Sequence, residues 1–373
     1  MIKAVISGTG LYTPPATIDN DELVEAFNAY VDKYNALHAA AIANGTLEPL
    51  QHSSSAFIEK ASGIKRRHVI DREGILDPDR MRPRIPERSD DEPSVQCDMA
   101  VVACREALAQ AGRTVADVDA VIAACSNFQR AYPAMSIEIQ QALGVDGFAY
   151  DMNVACSSAT FGLQAAINAV ENGTARAVLV VSPEICSGHL NFCDRDSHFI
   201  FGDACTAILV ERADAVADGA GFDVLGTRLL TRFSNNIRNN FGFLNRADES
   251  GIGKPDKLFI QQGRKVFKEV SPLVAETIQT HLDSLGLQAT DLKRMWLHQA
   301  NLNMNQLIAR RILGRDATED EAPVILDEYA NTSSAGSIIA FHLHRQGLVS
   351  GDLGVICSFG AGYSIGSVVI RKR

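Results

Sequence analysis

The stretch Asn153-Val154-Ala155-Cys156-Ser157-Ser158-Ala159 sets one cysteine at the mouth of a helix. From Ala159 the apolar positions run Ala159, Gly162, Leu163, Ala166, Ile167 and Val170, the stepping by threes and fours of a single buried face. Asn172-Gly173 supplies a C-terminal stop. Cys156 therefore falls at or just before the N-terminus, where unpaired N–H groups and the helix dipole favour negative charge and are expected to lower a thiol pKa. A thiolate there is a nucleophile. By itself, a buried free cysteine is more often a small core hydrophobe, so its chemistry turns on partners elsewhere in the chain.

One partner lies in Trp296-Leu297-His298-Gln299-Ala300-Asn301. Met295 to Leu297 reads as a strand end, and Leu302 to Leu313 as a helix with Met304, Leu307, Ile308 and Ile312 inward. A histidine between strand and helix faces the cleft of open α/β architecture, although alone it reads as an ordinary core or surface histidine. Another partner lies in Glu328-Tyr329-Ala330-Asn331-Thr332-Ser333-Ser334-Ala335-Gly336-Ser337, where Asn331 opens a small-residue helix running to Gln346-Gly347. Alone, Asn331 is a helix cap.

A faint duplication ties these sites together. Ala107 to Asn127 (Gly112, Asp117, the strand Val118 to Cys125) overlays His281 to Asn301 (Gly286, Asp291, the strand Leu292 to Leu297) without a gap. Asn153 to Ser182 overlays Asn331 to Gly360 in the same way, pairing Asn153 with Asn331 and Cys156 with Ser334. Two copies related by a pseudo-twofold would bring Cys156, His298 and Asn331 to one central cleft.

These residues carry a family resemblance over nearly the whole length. The sequence resembles a thiolase-fold condensing enzyme, specifically a β-ketoacyl-acyl-carrier-protein synthase III. The matching segments are Ile6 to Pro14, Ser62-Gly63-Ile64-Lys65-Arg66-Arg67-His68, Asn153 to Ser158, Phe201-Gly202-Asp203-Ala204, His298 to Asn301, Asn331-Thr332-Ser333 and Phe359 to Ser367, in family order. The resemblance implies a five-layer α/β/α/β/α thiolase fold of duplicated halves: residues 1–215 with the nucleophilic cysteine, and residues 216–373 with the histidine and asparagine.

It also implies the reaction. Cys156 takes an acyl group from CoA, splitting one difficult transfer into two easier ones. The backbone N–H groups of Cys156 and Ala361 form the oxyanion hole. Ala361 replaces a glycine of the family's turn, which requires dihedrals there that suit an L-residue. Malonyl thioester then loses CO2, and His298 and Asn331 donate to the enolate that attacks the acyl-cysteine. One His with one Asn points to synthase III over the chain-elongating synthases. Degradative thiolase needs a second cysteine near the terminal glycine turn, and Cys357 reads as strand core instead. No cofactor is implied beyond the CoA thioester substrate, and no metal.

Composition sets limits. The chain of 373 residues, 46% hydrophobic and 6% aromatic, is long enough for a large core in two fused halves. No apolar run approaches membrane-span length, and Met1-Ile2-Lys3 leads almost directly into a strand, so a soluble cytoplasmic enzyme without membrane association is expected. Eight cysteines (97, 104, 125, 156, 186, 193, 205 and 357) lack paired metal spacing and read as reduced thiols. The net charge of -10 argues against nucleic acid.

That charge also makes docking of an acidic carrier depend on local basic residues. Lys268, Arg310 and Arg311 fall where the family binds its carrier, while Asn303 stands where many relatives carry arginine. For substrate binding the resemblance implies Phe57 against the CoA adenine, and Tyr132, before Pro133, bounding the acyl pocket across a homodimer interface.

Two inserted segments depart from the compact pattern. In about 24–53, Leu23, Phe27, Tyr30, Tyr34, Leu37 and Ala41 form a helical apolar stripe; about 71–95 is rich in Arg, Asp and Pro and reads as a long loop without regular structure. Both flank the expected CoA entrance, where they would shape the tunnel for medium or long acyl-CoA primers. The expected activity is decarboxylative Claisen condensation of acyl-CoA with malonyl-acyl carrier protein in fatty acid biosynthesis. The alternatives are a head-to-head acyl-CoA condensing or specialised-metabolite synthase on the same fold, and a non-catalytic acyl-binding subunit.

Overall fold

The main strands are buried on both faces because their residues alternate between two cores. In Ala120–Ala124, Val121 and Ala123 join one cluster, and Ala120, Ile122 and Ala124 another. In Leu353–Gly360, Val355, Cys357 and Phe359 point one way and Ile356 the other. Helices on both faces explain why such strands read as near-continuous apolar runs. The computed structural model describes residues 2–239, 247–254 and 257–373.

The main sheet contains β1 (Ala4–Tyr12), β4 (Ala120–Ala124), β5 (Phe148–Met152), β6 (Ala177–Ile185), β7 (Asp203–Arg212), β8 (Phe222–Ser234), β11 (Leu292–Leu297), β12 (Leu353–Gly360) and β13 (Gly362–Lys372). Two small ribbons pair β2 (Ala16–Asp19) with β3 (Arg66–Val69) and β9 (Ile237–Arg238) with β10 (Ile260–Gln261). The main order is β11-β12-β13-β8-β1-β7-β6-β4-β5. Its middle seam, β1 to β8, pairs through Val5–Asp223 and Ile6–Phe222, so two halves meet along a short join.

Five layers follow from the core clusters. Helices α5 (Val95–Ala111) and α6 (Met135–Leu143) cover the outside of the first half with Ala100, Ala103, Cys104 and Ile139. Helices α8 (Gly263–Ser284) and α9 (Leu302–Leu313) cover the outside of the second with Val274, Ile278, Ile308 and Ile312. Between the halves lie α7 (Ser158–Glu171) and α11 (Gly336–Leu343), whose Leu163, Ile167, Ile338 and Phe341 share a cluster with Ile122, Val180, Trp296 and Ile356. This is the α/β/α/β/α order anticipated from the sequence.

The backbone repeats what the overlay suggested. Ala155 and Ser333 each take a left-handed φ, +48° and +50°, immediately before Cys156 and Ser334. In both copies an asparagine two residues earlier accepts that residue's N–H at 2.9 Å, Asn153 for Ala155 and Asn331 for Ser333. Each turn then runs into a central helix, α7 or α11. Capping boxes at Thr114–Asp117 and Gln288–Asp291 mark the other repeated segment.

The inserted segments differ in part from expectation. Helix α1 (Asn20–Leu37) starts with a capping box between Asp19 and Glu22 and buries Leu23, Phe27 and Val31. Leu37 is 80% exposed, because the helix ends there and the chain continues through the short α2 (Ala39–Ala43). The returning segment is fastened by side-chain amides: Asn28 brackets the backbone of Ser53 and Asn35 that of Leu50. Helix α3 (Ser55–Ser62) follows. The segment read as an unbroken loop contains one helical turn, α4 (Glu73–Leu76), which Asp71 organises by accepting the N–H groups of Gly74 and Arg84. A last short helix, α10 (Leu326–Tyr329), leads into the Asn331 turn.

Candidate active site

Cys156 sits in a one-turn 3-10 segment, Ala155–Ser157, that feeds α7. The Ser158 hydroxyl accepts the Val154 N–H at 2.8 Å and donates to the Ala155 carbonyl at 2.7 Å, and the Ser157 hydroxyl donates to Ser364 O at 3.0 Å. These bonds tie the Cys156 loop to the C-terminal glycine turn. A Cβ at Gly360 would lie 2.5 Å from Cys156 Cβ and 2.9 Å from Sγ, closer than real side chains approach, so only glycine fits there. In the same turn the left-handed φ falls on Gly362 and not on Ala361, which meets the condition for an alanine at that position.

The expected lowering of the thiol pKa is reversed. Burial pushes the Cys156 thiol up, and the nearby Glu184 carboxylate adds to this; the Ser333 hydroxyl and the N–H groups of Ala361 and Cys156 pull it part of the way back. Desolvation outweighs the helix N-terminus. Two backbone N–H groups, those of Ala361 and Cys156, thus act on the sulfur.

His298 continues the β11 ladder, its N–H donating to Cys357 O at 2.8 Å. Its ring stands edge-on to Phe359, centroids 5.2 Å apart at 88°. Burial holds its pKa down at about 4, partly opposed by the Ser333 backbone, so the imidazole is neutral at pH 7. Among the described residues the enclosed Nδ1 has no hydrogen-bond partner. The rest of the motif is scaffolding. Gln299 donates to Leu297 O at 2.8 Å and accepts the Ile325 N–H at 3.1 Å. Asn301 caps α9 by accepting the Met304 N–H and donates to Ala61 O at 2.7 Å.

Asn331 is placed by the Phe201-Gly202 segment: its N–H donates to Ile200 O at 3.0 Å, and its carbonyl accepts the Gly202 N–H at 3.1 Å. A Cβ at Gly202 would meet Tyr329 O at 2.4 Å, which accounts for that glycine. Because the Ser333 N–H occupies Asn331 Oδ1, the amide orientation is assigned by its partner, and the NH2 end remains for the cavity.

Cys156, His298 and Asn331 line one cavity of about 560 Å3. Its walls are largely apolar, with Phe199, Phe201, Phe259, Phe267, Val270 and Met304, as expected for a site that takes an acyl thioester. Phe57 also lines it, and the Arg195 guanidinium lies 4.3 Å above the Phe57 ring. Arg195 is held there by a bond from Nε to His52 O at 2.8 Å. Arg195 and Glu184 were not singled out from the sequence, since nothing in their local pattern reports which distant group they meet; Ser333 entered only as part of the segments around Asn331.

Other expected residues are not gathered in this cavity. Tyr132 is 86% exposed and lines a different cavity of the same chain, with Phe128 and His189. Lys268 is exposed on α8, one residue beyond the cavity-lining Phe267. Arg310 lines a third cavity and pairs with Asp316 at 2.5 Å; Arg311 is exposed beside it at the far end of α9. No residue of 24–53 or 71–95 lines the Cys156 cavity. The first insertion instead stands behind its wall, with Phe27 stacked on His198 at 4.3 Å and Arg67 joining Asn20 to the Phe199 carbonyl.

A cysteine at the entry to one central helix, sharing a cavity with an imidazole and a carboxamide from the other half, suits acyl transfer followed by carbon–carbon bond formation. On this fold it defines a condensing enzyme. The description 3-oxoacyl-[acyl-carrier-protein (ACP)] synthase III matches residues 150–231, and that of the C-terminal part of the same synthase matches residues 282–372. The chain is 68% identical over 350 residues, 94% of its length and 100% of the relative's, to a beta-ketodecanoyl-[acyl-carrier-protein] synthase of Pseudomonas aeruginosa. It is 29% identical over 375 residues, 99% of each chain, to the beta-ketoacyl-[acyl-carrier-protein] synthase III of Cereibacter sphaeroides. A solved 3-oxoacyl-(acyl carrier protein) synthase III from Pseudomonas aeruginosa PAO1 aligns with a TM-score of 0.76 at 25% identity, covering 99% of this chain and 98% of that one. The chain belongs to the 3-oxoacyl-[acyl-carrier-protein] synthase III family, and it is an acyltransferase of fatty acid biosynthesis.

Proposed function

We propose that this enzyme joins an eight-carbon acyl-CoA to malonyl-acyl carrier protein through an acyl group on Cys156. The chain length follows from the relative named for a β-ketodecanoyl product: of those ten carbons two come from malonyl after CO2 is lost, leaving eight for the primer. The observation that carries the mechanism is the shared, aromatic-walled cavity of Cys156, His298 and Asn331.

In the first half-reaction Cys156 sulfur attacks the thioester carbonyl, the oxyanion is received by the N–H groups of Cys156 and Ala361, and CoA leaves with the thiol proton. In the second, the bond between the malonyl methylene and its carboxylate breaks. The released electron pair forms an enolate whose oxygen takes hydrogen bonds from neutral His298 and from Asn331 Nδ2. The enolate carbon then attacks the acyl carbonyl and expels Cys156. A neutral imidazole suits this role, because it donates without protonating the enolate. Thioester substrates and these side chains suffice for each step. Phe57 with Arg195 forms a flat, cationic platform for the adenine and phosphates of CoA. The exposed Lys268 and Arg311, and Arg310, are the carrier-docking candidates.

The partner assignment rests on an edge. Strand β5 ends the sheet and exposes Phe148 and Tyr150, near the exposed Ile137 and Tyr132. A homodimer formed there would cover this apolar edge and carry Tyr132 toward the partner's site. The division into halves at 215/216 is proposed on the same two-copy logic. A cytoplasmic location suits eight free cysteines, and among the described residues no helix is long and apolar enough to cross a membrane.

The test is a series of acyl-CoAs from acetyl to palmitoyl, each incubated with the enzyme and weighed as the intact adduct, followed by labelled malonyl-acyl carrier protein. Octanoyl-CoA is expected to acylate fastest and to give a ten-carbon β-keto product with release of CO2. Preference for acetyl-CoA would overturn the chain length, and absence of any adduct the mechanism.

A further inference from the structure

Near the cavity a carboxyl group is buried that neither half-reaction uses. Glu184, near the end of β6, has no solvent exposure. It is satisfied by donors: the Ser126 N–H at 3.0 Å, the Ser126 hydroxyl at 2.5 Å, the Ser334 N–H at 3.1 Å, the Ser334 hydroxyl, and more weakly the Cys186 thiol at 3.8 Å. Burial raises its pKa, while the serine donors lower it toward the ionised form that they fit.

Ser334 is the symmetry counterpart of Cys156. The two central helices thus present different groups at equivalent starts: α7 offers a nucleophile to the cavity, and α11 is entered through a serine clamped on a buried carboxylate. One residue before Ser334 is Ser333, whose N–H orients Asn331 and whose side chain lies near enough to Cys156 to oppose the rise of its pKa. Glu184 is therefore one serine away from both. Through Ser126 it holds the loop after β4 as well, where Asn153 Nδ2 donates to Ser126 O at 2.9 Å and so returns to the nucleophile turn.

We propose that Glu184 is a positioning residue for the condensation half-reaction: its carboxylate clamps the Asn331–Ser334 loop to the Ser126 loop and so fixes the Asn331 amide in the cavity it shares with Cys156. The assignment rests on the roles given above to Cys156 and Asn331. The side chain also places a negative charge beside the thiol; Cys186 after β6 is a further titratable neighbour of Cys156, the neutral His298 after β11 shares its cavity, Cys125 after β4 lies against Glu184, and Asp203 of β7 faces Cys186.

The experiment compares Glu184→Gln, Ser334→Ala and Asn331→Ala with the unaltered enzyme. Acyl uptake from octanoyl-CoA, CO2 release from malonyl-acyl carrier protein, thermal midpoint and the pH profile of Cys156 alkylation by iodoacetamide are measured for each. Glu184→Gln keeps the size and removes the charge. It is expected to lower CO2 release by roughly tenfold or more, as a displaced reacting group does, with acyl uptake changed by less than about threefold, and to move the alkylation profile to lower pH. Ser334→Ala should lose CO2 release in the same sense and tests the clamp even if Glu184→Gln does not fold. Unchanged CO2 release with an unmoved alkylation profile would overturn the proposal. So would equal loss of both half-reactions with a lowered thermal midpoint, which would mark plain structural support. Full CO2 release in Asn331→Ala would instead remove the catalytic reading beneath it, whatever Glu184 does.

Discussion

The side-chain oxygen of Asn331 accepts the backbone N–H of Ser333 at 2.9 Å, inside a turn that Asn153 and Ala155 reproduce at the same distance in the other half of the molecule. One copy of the turn is used to present a sulfur, the other to present an amide donor. Aspartate at 331 would keep the acceptor and lose the donor while adding charge. Asn331→Asp should therefore leave acyl uptake by Cys156 largely intact and reduce malonyl decarboxylation by about a hundredfold to a thousandfold. Scintillation counting of released CO2 checks this, and equal loss of both half-reactions would contradict it.

His298 is neutral and buried, so its replacement removes a donor without removing a charge. His298→Ala is expected to retain the acyl adduct in intact-mass spectra while condensation falls by about a hundredfold or more. Cys156→Ser should show the complementary pattern, with no adduct from any acyl-CoA. The opposite assignment of defects would exchange the two roles.

Gly360 presses directly on Cys156. Gly360→Ala must move either the glycine turn or Cys156, and acyl uptake should drop by about a hundredfold, since small misplacements of a reacting atom are costly. Gly188→Ala serves as the control, because its added Cβ would meet Ile185 at an ordinary 3.8 Å. Similar kinetics in the two variants would show that the contact at Gly360 is not needed.

Buried histidines make the fold sensitive to acid. Burial lowers the pKa of His189, His198, His281 and His298 to about 4 from an ordinary 6.5. The unfolded chain thus binds more protons between these values, and stability falls as pH drops from about 6.5 toward 4. Asp203, raised to about 6, and Glu184, also raised, act in the opposite direction, but the imidazoles outnumber them. The thermal midpoint should decline steadily from pH 7 to pH 5 in dilute buffer. A flat profile over that range would show that these histidines are not held neutral in the folded protein.

Much of the site was readable because its signals are local. Leu302 to Leu313 reads as a helix from its apolar stepping, and α9 has those bounds. Asn153 and Asn331 stand out because an asparagine before a small-residue helix is a recurrent turn signal, and the structure gives both the same hydrogen bond. Leu37 misled for the converse reason: its spacing fits the buried stripe, yet α1 outruns the surface it packs on and leaves Leu37 in solvent. Arg195 and Glu184 carry no local pattern. Their importance arises from Phe57 and Ser334, at sequence separations of well over a hundred residues.

Chain order alone pointed to the helices that follow Cys156 and Asn301, to the turns that begin the central helices, and to Cys156, His298 and Asn331 as candidates for thioester chemistry, because periodicity, capping and residue type act over a few neighbours. Tertiary structure decided that the Cys156 thiol is raised rather than lowered, that His298 and Asn331 share a cavity with Cys156, and that the first insertion stands behind the cavity wall instead of lining it. Each of these depends on burial or on a partner brought from far along the chain, and desolvation exists only once the two halves have closed around the cleft.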